Sequence, residues 1–233
     1  MNNPPASGGS SRLPRLIVTS VFALAIVLAR YFSGHTAQAE PMLIIGKGSS
    51  YEKEWNRVDS LADKGLYRSA LDLTNQIYDR AKKENNSGQV VKALIHRFKF
   101  SQQFQENSED FAIYDLRNEL KTAKFPLSPV LHSMLGDLYW QYYQRNSWKF
   151  SQRTQTSGFQ NDSINTWDLN HLVSEAIKNY NASIVPVDSL FRTDEGIYAD
   201  VLTKGNAEKD LRPTLYDFLA QRAVAFFTAA SPA

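Results

Sequence analysis

The stretch Ser128–Phe150, SPVLHSMLGDLYWQYYQRNSWKF, decides the fold. Leu131, Met134, Leu135, Leu138 and Tyr142 recur at i, i+3, i+4, i+7 and i+11, which is one face of an α-helix. Ser128 suits an N-cap and Pro129 a first helical residue, whose missing N–H would have no partner there anyway. The same spacing returns in Leu169, Leu172, Val173, Ala176, Ile177 and Tyr180. It returns again from near Pro213, in Leu215, Phe218, Leu219, Arg222, Ala223 and Phe226.

Four more helices read upstream. Ser49 and Glu52 stand at capping-box spacing ahead of Trp55, Val58 and Leu61, with Gly65 as the stop. Leu66, Ala70, Leu73 and Ile77 share a face of a second helix, which ends in the turn-rich KKENNSG. A third carries Val91, Leu94, Ile95 and Phe98. A fourth starts at Ser108, with Glu109 and Asp110 where carboxylates favour the helix dipole, and ends at Lys121 and Lys124 before Pro126. Residues 185–210 read as one short helix and loops. No segment sustains period-two alternation, so the fold class is all-α.

Helix pairs beginning near Tyr51, Gly88 and Pro129 have about the spacing of a helical repeat array. Gly65-x-Tyr67-x-x-Ala70 and Leu135-Gly136-x-x-Tyr139 match fragments of the tetratricopeptide (TPR) pattern. The expected architecture is an array of antiparallel helix hairpins, a TPR-like α-solenoid, in which each hairpin covers the apolar face of its neighbour.

Of 233 residues 42% are hydrophobic and 21% charged, ordinary values for a globular domain. There is no cysteine, which excludes disulfides, thiolate metal sites, cysteine catalysis and a lipobox. Arg12 and Arg15 precede the apolar run Leu16–Ala29, and Ala37-Gln38-Ala39 follows, the order of a secretory signal peptide. The run is shorter than the ~20 residues of a membrane span. Cleavage after Ala39 would start the mature chain at Glu40 in the periplasm or cell envelope; an uncleaved N-terminal anchor is the rival, and the only route to a membrane. Cleavage removes Arg12, Arg15 and Arg30, three of 26 basic residues, and none of the 24 acids. No concentrated basic face remains for a nucleic acid. The expected division is 1–39 signal peptide or anchor, 40–49 linker, 50–228 helical-repeat domain and 229–233 a truncated tail.

Candidate chemistry is sparse. His96, His132 and His171 sit singly on expected helices without H-E-x-x-H spacing, and read as structural. Gly46-Lys47-Gly48-Ser49 lacks the upstream glycine and strand of a phosphate loop. No G-x-S-x-G is present. No enzyme, metal or cofactor is expected. Of the aromatic set Tyr139, Trp140, Tyr142, Tyr143, Trp148, Phe150 and Trp167, four lie on one helix and not all can face the same core, and Asn146–Asn165 reads as a long polar loop. Core or interdomain packing accounts for most such rings; those left on the surface could bind a glycan or a partner chain. The loop and its flanks are the expected contact surface, through Trp148, Phe150, Phe159 and Trp167, with Arg153 and Asp162 as pairing charges. Asn85-Asn86-Ser87, Asn161-Asp162-Ser163 and Asn181-Ala182-Ser183 are sequons that matter only in a eukaryotic secretory host.

Four blocks carry a family resemblance: KGLYRSALDLTNQIYDRAKKENNSGQVVKALIHRFKF (Lys64–Phe100), TAKFPLSPVLHSMLGDLYWQYYQRNSWKF (Thr122–Phe150), NDSINTWDL (Asn161–Leu169) and LRPTLYDFLAQRA (Leu211–Ala223). In this order the chain resembles the N-terminal helical region of alpha-2-macroglobulin-like proteins of Bacteroidetes-type bacteria. The resemblance implies a helical region ahead of β-sandwich macroglobulin domains, in a family that traps proteases through a bait segment and, in some members, a thioester. Without cysteine the Cys-x-Glu-Gln thioester is not in this chain, and no β-rich segment follows. The expectation is a non-catalytic scaffold or interaction module. Its partners would be the macroglobulin domains of the same or parent polypeptide, and proteases only through the full-length protein. A stand-alone exported TPR-like protein that binds a glycan or peptide is the alternative.

Overall fold

The computed structural model describes residues 51–106, 108–151, 163–202 and 214–230. The expected signal or anchor segment 1–39, the linker 40–49 and the Ser49 cap lie outside them, as do Pro213 and residues 231–233. Among the described residues eight α-helices stand in order: α1 Glu52–Asp63, α2 Tyr67–Lys83, α3 Ser87–Ser101, α4 Ser108–Leu120, α5 Leu127–Ser151, α6 Leu169–Ser183, α7 Val187–Phe191 and α8 Leu215–Ala230. Two 3₁₀ turns, Ile164–Thr166 and Glu195–Tyr198, complete the elements. Among the described residues there is no strand, only an isolated antiparallel bridge between Asp194 and Thr214. The fold is all-α.

The first two connections are built alike. Gly65 closes α1 at φ 73°, its N–H bonded to the Ala62 carbonyl and the Leu66 N–H to the Leu61 carbonyl. Asn85 closes α2 at φ 53°, with Asn85 N–H on Lys82 and Asn86 N–H on Ala81. Both are Schellman closures, which glycine and asparagine tolerate because they enter the left-handed region most readily. The Asn86 side chain then caps α3 by accepting from the Gln89 N–H at 3.2 Å. These closures keep the connections short, and α1 packs on α2, and α2 on α3.

Helix α2 buries Ala70, Thr74, Ile77 and Ala81, mostly small residues that let α3 approach closely. Leu66, expected on that face, is exposed; its backbone belongs to the α1 closure instead. Helix α3 is buried on several sides, because α2, α4, α5 and the second 3₁₀ turn all pack on it. At Gly88 an added β-carbon would collide with the Ile197 carbonyl oxygen, so only glycine admits this close approach of the Glu195–Tyr198 turn to α3.

Helix α5 is the long element of the larger core and packs on α4, α6 and α8. Leu131, Leu135, Tyr139 and Tyr142 form its buried stripe. It begins at Leu127, so Ser128 lies inside the first turn and is not the cap. It continues through Asn146 to Ser151, where the sequence suggested a loop. Asn146 donates to the Tyr142 carbonyl at 2.9 Å, a local bond that the helix tolerates. Gly136 is the contact point with α6: an added β-carbon would meet the Tyr180 ring at 2.9 Å.

Candidate interaction surface

The aromatic set divides by burial. Tyr139, Tyr142 and Trp167 are buried, and Trp140 and Tyr143 pack against the same core. Trp167 is 7% exposed and lies against Tyr139, with ring centroids 5.4 Å apart. The His171 ring meets it edge-on at 4.3 Å, and the Arg117 guanidinium lies 5.6 Å from its centroid. The Ile164–Thr166 turn delivers Trp167 to this place and is pinned from two sides. Tyr142 Oη donates to Asn165 Oδ1 at 2.8 Å, and Asn165 Nδ2 donates to Asp110 Oδ2 at 2.5 Å. Asp168 then caps α6, accepting the His171 N–H at 2.7 Å.

Trp148 differs: it is 60% exposed. Nine residues beyond Tyr139 on α5, it stands roughly 13 Å along the helix from the ring on which Trp167 packs. The structure therefore does not bring the two tryptophans together. Phe150 lies in the last turn of α5. Arg153, Phe159 and Asp162 lie outside the described residues.

Buried and half-buried polar groups join the helices. Glu119 of α4 is 5% exposed and accepts from Tyr78 Oη and Lys82 Nζ of α2. Burial, and then the bond to Glu119, push the Tyr78 hydroxyl far above its ordinary range. Arg222 of α8 donates from Nε to Ser133 Oγ at 2.9 Å and from Nη2 to Asp137 Oδ2 at 3.1 Å, both on α5. His132 Nδ1 donates to Asn179 Oδ1 at 2.8 Å, linking α5 to α6. Gln89 accepts from Trp55 Nε1 and donates to Asp200 Oδ2, each at 2.6 Å. His96 lies between Trp55 and Phe100, with centroids 4.6 and 5.7 Å away, and its Nδ1 donates to the Lys92 carbonyl at 2.8 Å. Burial pushes its imidazole down to about 4.

Among the described residues no three His, Asp or Glu side chains are grouped so as to hold a metal ion, and no helix is long and apolar enough to cross a membrane. What the spacing did not reveal is an exposed apolar run at Val185, Val187, Phe191 and Ile197, in a region read only as a short helix and loops. Its signal was the cluster of aliphatic residues among acids. The chain matches no known family model, and no curated protein or solved structure shows a detectable similarity to it.

Proposed function

We propose that the chain is a non-catalytic helical module: the N-terminal region of an exported alpha-2-macroglobulin-like protein, acting as scaffold or interaction domain for the macroglobulin domains of that polypeptide. In this reading α1 with α2, α3 with α4, and α5 with α6 are antiparallel hairpins of a TPR-like array. The first 39 residues direct export to the periplasm or cell envelope. Proteases meet the full-length protein and not these helices.

The observation that supports a structural role is the use of the buried and half-buried polar groups. Glu119, Gln89, Asp137 and Arg222 each bond side chains of other elements, so their chemistry is taken up in joining helices. The family assignment is supported by the four ordered blocks of sequence resemblance. Its test is the reading frame beyond Ala233 in the parent genome. Macroglobulin-type β-sandwich domains in frame are expected; a stop codon there would overturn the assignment and favour the stand-alone binder.

A further inference from the structure

Val185, Val187, Phe191 and Ile197 are exposed large apolar side chains within thirteen consecutive positions. Val187 and Phe191 lie one turn apart on α7 and share its outer face, while Leu190 points inward and is fully buried. Phe191 is 49% exposed and stacks on Tyr216 of α8, with centroids 4.2 Å apart and planes at 25°. The stack fixes the ring and widens the apolar strip.

Carboxylates border this strip. Residues 184–202 carry Asp188, Asp194, Glu195 and Asp200 against the single base Arg192. Asp188 follows Val187 on α7. Asp194 is bridged to Thr214, two residues before Tyr216, and the Leu215 N–H bonds the Thr193 carbonyl at 2.8 Å. Asp200 is within electrostatic reach of Lys92, and Asp194 accepts the Gly196 N–H, a neutral donor. Among the described residues Asp188, Asp194 and Glu195 take part in no ion pair. Among the described residues, an aromatic step edged by carboxylates that stand outside any ion pair complements a segment that presents apolar and cationic side chains together. The same charge repels anionic lipid and nucleic acid.

We propose that the face formed by Val187, Phe191 and Tyr216, with Asp188 and Asp194 beside it, docks a basic, apolar peptide segment of a partner protein. Phe191 is the anchor and the carboxylates are the rim. Anchors of this kind set how long a complex lasts, and rim charges set the association rate and its salt dependence. The docking does not depend on the family assignment above.

The test uses the full chain and a fluorescein-labelled amphipathic peptide of lysine and leucine, with a glutamate-for-lysine peptide as control, followed by anisotropy. The lysine peptide should bind and the glutamate peptide should not. Phe191→Ser should weaken binding about tenfold or more. Asp188→Lys should weaken it about threefold and flatten its salt dependence. Thermal unfolding of both variants establishes that the fold is intact. Absence of binding, equal binding of both peptides, or unchanged affinity in well-folded Phe191→Ser would overturn the proposal. So would self-association of the wild type that Phe191→Ser abolishes, because the face would then belong to a second copy of the chain.

Discussion

Around α3 the interior is lined with alanine, valine and aromatic rings and holds a buried imidazole, whereas α5, α6 and α8 are also tied together by the buried Ser133 hydroxyl and the half-buried pair Asp137 and Arg222. Trp55, Val58, Ala70, Ile77, Ala93 and Phe100 make the first cluster. Leu131, Leu135, Tyr139, Trp167, Leu172 and Phe226 belong to the second, beside Ser133, Asp137 and Arg222. The first is specified largely by close approach at small residues; in the second, Ser133 and Asn179 are buried and need the partners they have in Arg222 and His132, since an unpaired buried polar group costs about 1–3 kcal/mol. The two meet on α3. That helix gives Ala93 and Phe100 to the first cluster and Val90, Val91 and Leu94 to the second, and Tyr51 and Tyr78 pack against both. Damage to either side should therefore be felt by the whole described fold.

The largest blow to the second region is Trp167→Ala. Loss of a buried tryptophan should lower unfolding free energy by about 3–5 kcal/mol, read from urea denaturation. A loss under about 0.5 kcal/mol would mean that the ring is on the surface.

The first region has an acid weakness instead. His96 is held near 4, against 6.5 for an ordinary imidazole. Between those values the unfolded chain binds the extra proton, so stability is complete above the upper value and falls as pH drops toward the lower. The loss from pH 7 to pH 5 should be about 2 kcal/mol. Lys92 and Lys99 push the same way, while Asp59 and Asp115, raised by burial, gain from protonation and oppose it. Comparing wild type with His96→Gln at both pH values isolates the imidazole. Equal pH dependence in the two proteins would remove His96 from the account.

A smaller effect is expected where α5 meets α6. In Gly136→Ala the new methyl would stand 2.9 Å from the Tyr180 ring and 3.3 Å from the Ala176 carbonyl oxygen. The Tyr180 ring is stacked on Phe226 at 4.4 Å, which limits its retreat. Overpacking exceeds the gain in helix propensity, and stability should fall by about 1–2 kcal/mol. A higher melting temperature would show that the rings yield. Smallest of all is Trp148→Ala, expected within about 0.5 kcal/mol of wild type; its contrast with Trp167→Ala separates a surface ring from a core ring.

Helix faces were legible in the sequence where several turns repeat one spacing, as at Leu131, Leu135 and Tyr142, or at Leu172, Ala176 and Tyr180. Edges of faces were not: Ile177 matches the apolar spacing of α6, yet is exposed because α5 and α8 cover only its neighbours. Trp167 follows a single 3₁₀ turn, too short to show a period, so nothing in its surroundings marked it as core. The polar pairs were invisible for another reason. Tyr78 and Glu119 are 41 residues apart, and Asp137 and Arg222 are 85 apart, separations on which local patterns carry no information. Of the six residues expected at the contact surface, the sequence showed that they are aromatic or charged, but not that Trp148 and Trp167 have opposite environments.

The most direct test of the claim that α3 joins both clusters into one unit is native-state hydrogen exchange of the full chain across a urea series. The slowest amides of α1–α3 and of α5–α6 should converge on one opening free energy and share one urea dependence. If α1–α3 opened at a distinctly lower free energy while α5–α6 stayed protected, the two clusters would be separate units and the account would be contradicted.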